Sequence, residues 1–220
     1  MSSAIIQLIV LAAVAVFLLL RLRSVLGTRD GFERPPRAAG SSSPAPAEKR
    51  PQLAVIEGGE NIADFVDPES DAARALRQMK EAEPGWSIRD FLEGAKAAYE
   101  MILMAYERGN VEEVRDLVDP EIYAAFREAV AEREARGLSV EAQFVGIRDA
   151  SITDAWFDPE SGEAEVTVSF TGELISTVRN AEGDIVEGSP TAIRRQKDVW
   201  TFARKMGSSD PNWTLVSTDG

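Results

Sequence analysis

The chain has 220 residues with 24 Lys or Arg, 37 Asp or Glu and a formal net charge of −13, and it contains neither Cys nor His. Without Cys there is no disulfide framework, thiol nucleophile or thiolate metal ligand, and without His the usual general base and commonest metal ligand are missing. Any catalysis would rest on carboxylates, Lys or Tyr, so we expect no catalytic residues, no metal and no cofactor, and a protein that is not an enzyme.

The first predicted element is an apolar run, Ala4–Leu20, which only the amide of Gln7 interrupts and which Arg21 and Arg23 end. At about 1.5 Å of rise per residue its seventeen residues span roughly 26 Å, close to the thickness of a bilayer core of about 30 Å. A helix here would satisfy its own backbone in lipid. The side chains expected to contact lipid are Ala4, Ile5, Ile6, Leu8, Ile9, Val10, Leu11, Val14, Val16, Phe17, Leu18, Leu19 and Leu20.

Two other interpretations of this run are less favoured. A cleaved secretory signal has basic residues before the apolar run and a small-residue cleavage site after it, whereas here the basic residues follow. A buried core helix would carry a polar stripe, and none interrupts the run. We therefore predict a retained anchor and basic flank over 1–26. The basic flank indicates a single pass, with the N-terminus outside and the rest in the cytoplasm of a bacterial inner membrane.

Charge is unevenly distributed after the anchor. Residues 27–60 are rich in Pro, Gly, Ser and Ala and predict a flexible tether. Residues 21–51 hold seven basic and three acidic side chains, a net charge of +4, whereas residues 52–220 hold 17 basic and 34 acidic side chains, a net charge of −17. The negative charge of this domain excludes nucleic acid as a partner. Anionic lipid should repel the domain and attract the basic segment.

Residues 61–137 have helical periodicity. A peripheral helix within 61–85, centred on 69–81, has a thin apolar stripe that predicts docking on its own domain: Ala72, Leu76 and Met79. Three Asp-Pro-Glu triplets occur; those at Asp67 and Asp119 predict helix N-caps, and the one at Asp158 predicts a turn.

Further helices are predicted over 86–137. Ser87 and Asp90 form a capping-box pattern ahead of a helix that Gly109 ends. The apolar face of this helix comprises Phe91, Leu92, Ala95, Tyr99, Ile102 and Tyr106. Asn110 is the expected cap of the next helix, and a last helix begins at Pro120, buries Ile122, Tyr123, Phe126 and Val130, and ends at Gly137.

Over 138–220 the period changes to two, which is typical of strands. We expect four strands, at roughly 141–157, 163–178, 190–206 and 211–218. In the second strand Ala164, Val166, Val168 and Phe170 share one face. Residues 61–220 therefore predict an α+β domain in which helices pack on one face of a curved antiparallel sheet.

The helical and strand aromatics are candidates for the lining of a pocket between helices and sheet. Aromatics at this spacing are more often plain core, so core is our default and a ligand cavity the alternative. The candidate lining residues are Phe91, Tyr99, Tyr106, Phe126, Phe170, Trp200 and Phe202.

Arg204 shares a strand face with Trp200 and Phe202, so its guanidinium would meet an apolar surface. It then needs a carboxylate or a bound anion. With 34 acids in 52–220 we favour an ion pair within the domain. The alternative is an anion contact at the mouth of a cavity, for a lipid headgroup or a peptide carboxylate.

Several stretches resemble the Tim44-like domain family. They are FLEGAKAAYEMILMAYERGN at Phe91–Asn110, LVDPEIYAAFREAVAEREARG at Leu117–Gly137, WTFARK at Trp200–Lys205 and DPNWTLVST at Asp210–Thr218. The anchor followed by RLRSVLG at Arg21–Gly27 resembles the bacterial TimA-type branch. The resemblance implies a cone of the nuclear-transport-factor-two type enclosing an apolar pocket, and a membrane adaptor without catalytic residues.

The sequence leads to three hypotheses about function. The first is a membrane-tethered adaptor that contacts the bilayer through its N-terminal helix and presents the acidic domain to unidentified protein partners, in protein translocation or membrane-protein assembly. The second is a module that binds a lipid, peptide or small hydrophobe in the pocket. The third, carboxylate-only catalysis, is the least favoured because no Ser-His, Lys-centred or metal constellation is present in the sequence.

Overall fold

The computed structural model describes residues 60–219. The predicted anchor over 1–26, and all of the predicted tether except its last residue, lie outside the described residues. Within 60–219 no helix is both long enough and apolar enough to cross a bilayer.

Helices precede strands along the described chain. The helices are α1 (Asp71–Ala82), α2 (Ile88–Arg108) and α3 (Pro120–Ala135), with short 3-10 helices at Ile62–Asp64 and Val111–Leu117. The strands are β1 (Ser139–Phe157), β2 (Glu163–Arg179), β3 (Ile185–Gly188), β4 (Arg194–Lys205) and β5 (Thr214–Asp219). The α+β class, with helices packed on an antiparallel sheet, is confirmed.

Local capping chemistry sets the ends of α2. The Ser87 hydroxyl accepts the backbone N–H of Asp90 at 3.1 Å, as the capping pattern predicts. At the other end Gly109 adopts a left-handed φ of 80°, and its N–H reaches the carbonyl oxygens of Ala105 and Tyr106. A residue with a Cβ would be strained in that conformation, so glycine ends the helix here.

One predicted helix start is wrong, and one predicted cap makes no hydrogen bond. The cap of α1 is Ser70, whose hydroxyl accepts the N–H of Ala73 at 3.1 Å, while Asp67 accepts the N–H of Glu69 in the turn before it. Asn110 makes no side-chain cap bond, and the segment after it is a 3-10 helix. Ahead of α1 both Asp67 and Ser70 are capping residue types, and the turn geometry selects Ser70. Asp119 does cap α3.

The sheet has the order β1-β2-β4-β5, and β3 pairs with the end of β2 beyond β4. The strand predicted at roughly 190–206 corresponds to β4 (Arg194–Lys205), whereas the short strand β3 is not predicted from the sequence; residues 189–193 separate the two. Gly188 ends β3 with a φ of 80°, and a Cβ there would lie 2.1 Å from the Ser176 carbonyl oxygen. Register shifts after Phe144, Ile147 and Ile152 bend the long strand β1.

The core lies between the helices and one face of the sheet. Both α1 and α2 contact β1. Leu76 and Met79 of α1 are fully buried, which confirms that this helix docks on its own domain. The predicted inward face of β2 is also confirmed, since Ala164, Val166, Val168 and Phe170 are all buried. By contrast, α3 buries only Val130 fully.

Candidate functional site

An aromatic cleft of about 440 Å³ lies where the start of α2 meets β4 and the beginning of β5. We call it the Trp86 cleft and define it by Trp86, Phe91, Gly94, Phe202, Arg204 and Trp213. Its size is in the range of small-molecule and side-chain pockets.

The walls of the Trp86 cleft are aromatic rings in contact. The ring centroids of Phe91 and Trp213 are 4.7 Å apart, and those of Trp86 and Trp213 are 6.0 Å apart. Phe91 meets Phe202 of β4 edge-on at 6.1 Å. Aromatic pairs at such distances stabilise one another, so the rings that form the walls of the cleft also support each other.

Arg204 lies in this cleft and pairs with Glu83, the residue that follows α1. The Arg204 side chain is only 6% exposed and that of Glu83 is 27% exposed. The hydrogen bond from Arg204 lowers the pKa of Glu83, with a smaller contribution from the Gly207 N–H at 2.8 Å, against the opposing effect of burial. The pair with a domain acid is the arrangement that the sequence favours for Arg204.

Two hydrogen-bond donors in the wall of the cleft have no acceptor. Among residues 60–219, nothing accepts from the buried atoms Trp86 Nε1 and Arg204 Nε. A buried donor left unpaired costs about 1–3 kcal/mol, and native proteins contain few. Both donors belong to residues that line the Trp86 cleft.

Glu60 binds residues beside the cleft through its carboxylate. Its carboxylate accepts from the Ser87 hydroxyl at 2.7 Å, from the N–H groups of Ile88 and Arg89 at 2.8 Å each, and from Lys80 Nζ at 3.0 Å. Burial of the carboxyl opposes ionisation, but these hydrogen bonds prevail and lower the pKa of Glu60 to about 2. A carboxylate at the N-terminus of α2 also suits the helix dipole.

A second, smaller cleft of about 240 Å³ lies near the C-terminal half of α2, lined by Tyr106, Phe126, Asp198 and Trp200 among others. Asp198 accepts from the Tyr99 hydroxyl at 2.6 Å and from Gln196 Nε2 at 3.1 Å. Burial and then this hydrogen bond raise the pKa of Tyr99, so Tyr99 stays neutral and acts as a donor.

The predicted lining residues do not surround a single cavity. Phe91, Phe202 and Arg204 belong to the Trp86 cleft, and Tyr106, Phe126 and Trp200 belong to the second cleft. Tyr99 and Phe170 are fully buried and stack at 4.5 Å, so they fill the space between the two clefts.

Sequence reasoning missed Trp86, Trp213, Glu83 and Glu60. Trp86 and Trp213 adjoin features that the sequence does mark, the Ser87 cap and the final strand, and two Trp at such junctions were a usable signal. Glu60 is separated from Ser87 by 27 positions, so no local pattern links them. In the described part of the chain no group of three or more acidic side chains is placed to hold a metal.

The family model of the Tim44-like domain matches residues 72–220, and the chain belongs to this family. The chain is 24% identical over 153 residues to the mitochondrial import inner membrane translocase subunit TIM44 of Homo sapiens, covering 69% of this chain and 30% of that protein. It is also 24% identical over 138 residues to subunit TIM44-1 of Arabidopsis thaliana, covering 61% and 28%. The matches therefore span less than a third of the length of these relatives.

Among solved structures, the intermembrane space region of the chloroplast protein ARC6 aligns with a TM-score of 0.42 and 12% identity. The alignment covers 61% of this chain and 95% of that one. An overlap at this TM-score carries no argument about function.

Proposed function

We propose that this protein is a membrane-tethered adaptor in protein translocation or membrane-protein assembly, and that it is not an enzyme. The observation that carries the proposal is membership of the Tim44-like domain family over 72–220. The relatives that match are named as subunits of mitochondrial inner membrane import translocases. Because less than a third of their length is matched, we carry over only the adaptor role and none of their particular partners.

The membrane part of the proposal rests on the sequence. The apolar run Ala4–Leu20 anchors the protein in a bacterial inner membrane as a single pass, and the tether over 27–60 connects it to the domain. The domain lies in the cytoplasm because the basic residues follow the run. The net charge of −17 over 52–220 keeps the domain away from anionic headgroups and available to a protein partner.

Within this proposal the Trp86 cleft is the docking site for the protein partner. Its aromatic walls resemble the anchor pockets at the centre of protein interfaces, where a few large side chains supply most of the binding energy. Met101 also lines the cleft and is 51% exposed, so it offers an apolar contact to a partner at this site.

Site-specific photo-crosslinking in intact membranes tests the proposal. A photoreactive amino acid at Met101 should give a discrete crosslink to a protein, whereas one at Val199, which is 39% exposed and lies outside the cleft, should not. No protein crosslink at Met101, or the same crosslinks at both positions, would contradict the adaptor role for this cleft.

The alternative function is binding of a lipid or small hydrophobe, within the pocketed cone of the nuclear-transport-factor-two type that the family resemblance implies. The aromatic walls of the two clefts support it. Native mass spectrometry of the full chain should then detect a bound lipid whose occupancy falls when Phe202 is replaced by Ala. A ligand-free spectrum would remove this alternative.

A further inference from the structure

Arg204 and Glu83 form an incomplete ion pair. Both hydrogen bonds of the Glu83 carboxylate, from Arg204 Nη2 and from the Gly207 N–H, go to the same oxygen, Oε2. Arg204 Nε, on the adjoining position of the guanidinium, has no acceptor among the described residues. A carboxylate that used both of its oxygens would satisfy Nε and Nη2 together, the stronger two-point geometry.

The two partners also differ in how freely they can separate. The Arg204 side chain is 6% exposed, so its charge cannot move to solvent, whereas Glu83 is 27% exposed and follows the last residue of α1. An incoming carboxylate can therefore displace Glu83, which returns to water, while Arg204 keeps a charged partner throughout. Leaving Arg204 without one would be costly, so exchange is favoured over simple opening.

We propose that the Trp86 cleft binds a peptide segment carrying one carboxylate next to a large apolar side chain, and that Glu83 is the internal carboxylate which this ligand displaces from Arg204. The apolar side chain packs against Phe91, Phe202 and Trp213, which line the cleft. The inference rests on the proposed role of this cleft as the partner-docking site, and names the chemistry that it recognises.

Charge favours a peptide over a lipid and limits its composition. Residues 52–220 carry a net charge of −17, which repels an anionic bilayer surface. A segment whose only carboxylate meets Arg204, and which is otherwise neutral or basic, avoids this repulsion. A C-terminal carboxylate after an aromatic or aliphatic residue fits this description.

The test uses the full chain in nanodiscs of neutral phosphatidylcholine and the acetylated peptide Arg-Lys-Leu-Phe, either as the free acid or as the C-terminal amide. Fluorescence anisotropy of the labelled peptides measures binding. The acid should bind about tenfold more tightly than the amide, the difference expected for one charge-assisted contact of about 1.4 kcal/mol. Equal binding of acid and amide would overturn the proposal.

Variants separate the roles of the charge and the cleft. Glu83→Gln should tighten binding of the acid, because it removes the competing charge, and Arg204→Met should abolish the preference for the acid. Gly94→Leu should block both peptides, since a Cβ at Gly94 meets nothing within 4 Å and the side chain enters the cleft. Ala97→Leu, on the same helix but outside the Trp86 cleft, is the matched control and should bind normally. Retained acid preference in Arg204→Met would overturn the proposal.

A second measurement detects binding at the cleft in the chain without substitutions, and a variant serves only to assign the signal. With 5-fluorotryptophan incorporated, the fluorine signal of Trp86, assigned through Trp86→Phe, should shift when the acid is added and not when the amide is added. No shift, or a shift produced by phosphatidylglycerol vesicles but not by the peptide, would overturn the peptide proposal. If the photo-crosslinking at Met101 succeeds while acid and amide bind alike, the adaptor role stands and only this inference fails. If the acid preference is found without a protein crosslink, the adaptor role is the part that fails.

Discussion

Glu60 joins the start of the described chain to the beginning of α2 and to Lys80 of α1 through four hydrogen bonds to one carboxylate. Two of these bonds come from backbone N–H groups at the beginning of the helix, which have no partner within the helix itself. The carboxylate therefore serves as a long-range helix cap, in addition to the local cap that Ser87 provides.

Replacing Glu60 by Gln should lower the free energy of unfolding at neutral pH by about 1.5–3 kcal/mol, the range for hydrogen bonds to a charged group. The pKa of Glu60 is lowered from 4.5 to about 2 in the folded state. Its contribution is thus fully present above the unfolded pKa and is lost as the pH falls from about 4.5 towards 2. Urea titrations across this range should show the difference between wild type and variant shrinking. Glu81→Gln, at an exposed position on α1, is the control; an equal loss there would contradict the role of Glu60.

Gly172 is required by the packing of Tyr99. A Cβ at this position would lie 2.6 Å from the Tyr99 hydroxyl oxygen, which the bond to Asp198 holds in place. Gly172→Ala should therefore destabilise the domain by about 1–3 kcal/mol, as overpacking of a core does. Gly146→Ala, in the neighbouring strand with open space around it, should destabilise the domain much less. Thermal unfolding followed by circular dichroism measures both, and equal costs would contradict this account of the core.

At the scale of elements, periodicity and capping patterns are enough to predict most of the helices and strands. The three-and-four spacing of α2, its Ser87 cap and its Gly109 end are local properties, and so is the alternation in β2. The short strand β3 is not predicted from the sequence. Its pairing with the end of β2 places Gly188 close to the Ser176 carbonyl oxygen, a contact across the sheet that no local pattern encodes.

Gly188→Ala should disrupt the pairing of β3 with β2. The φ of 80° already disfavours a side chain, and a Cβ would lie only 2.1 Å from the Ser176 carbonyl oxygen. We therefore expect the free energy of unfolding to fall by about 1–3 kcal/mol or more. Gly183→Ala has a similar φ of 88° without any close atom and isolates the conformational part of the cost. Hydrogen exchange of the β3 amides should increase in Gly188→Ala alone; unchanged protection there would contradict the prediction.

At the scale of the whole molecule, the separation of charge between residues 21–51 and 52–220 is the main feature that composition alone reveals. The presence of a partner for Arg204 also followed from composition, since acids are abundant. The identity of that partner did not, because Glu83 and Arg204 are brought together only when α1 docks on the sheet. The two clefts could likewise not be predicted from the sequence, because the packing decides whether aromatic side chains fill a space or line its border.

Deleting residues 1–26 should release the protein from membranes without unfolding the domain. The core of the described domain is built from residues 62–215, none of which is removed. Membrane fractionation should recover the full chain with the bilayer and the shortened chain in the supernatant, while circular dichroism should show unchanged secondary structure. If the shortened chain still complements loss of the full-length protein in cells, the anchor is dispensable and the adaptor architecture is wrong.

The position of Glu60 has a mechanical consequence. Any tension on the chain ahead of this residue enters the domain where the carboxylate binds the beginning of α2, next to Trp86 and Ser87. Those hydrogen bonds would bear the load before the strand ladders of the sheet do. A protein held at one end and pulled by a partner at the Trp86 cleft would therefore transmit force along the short path between Glu60 and the cleft, and the strands of the sheet outside this path would carry less of it.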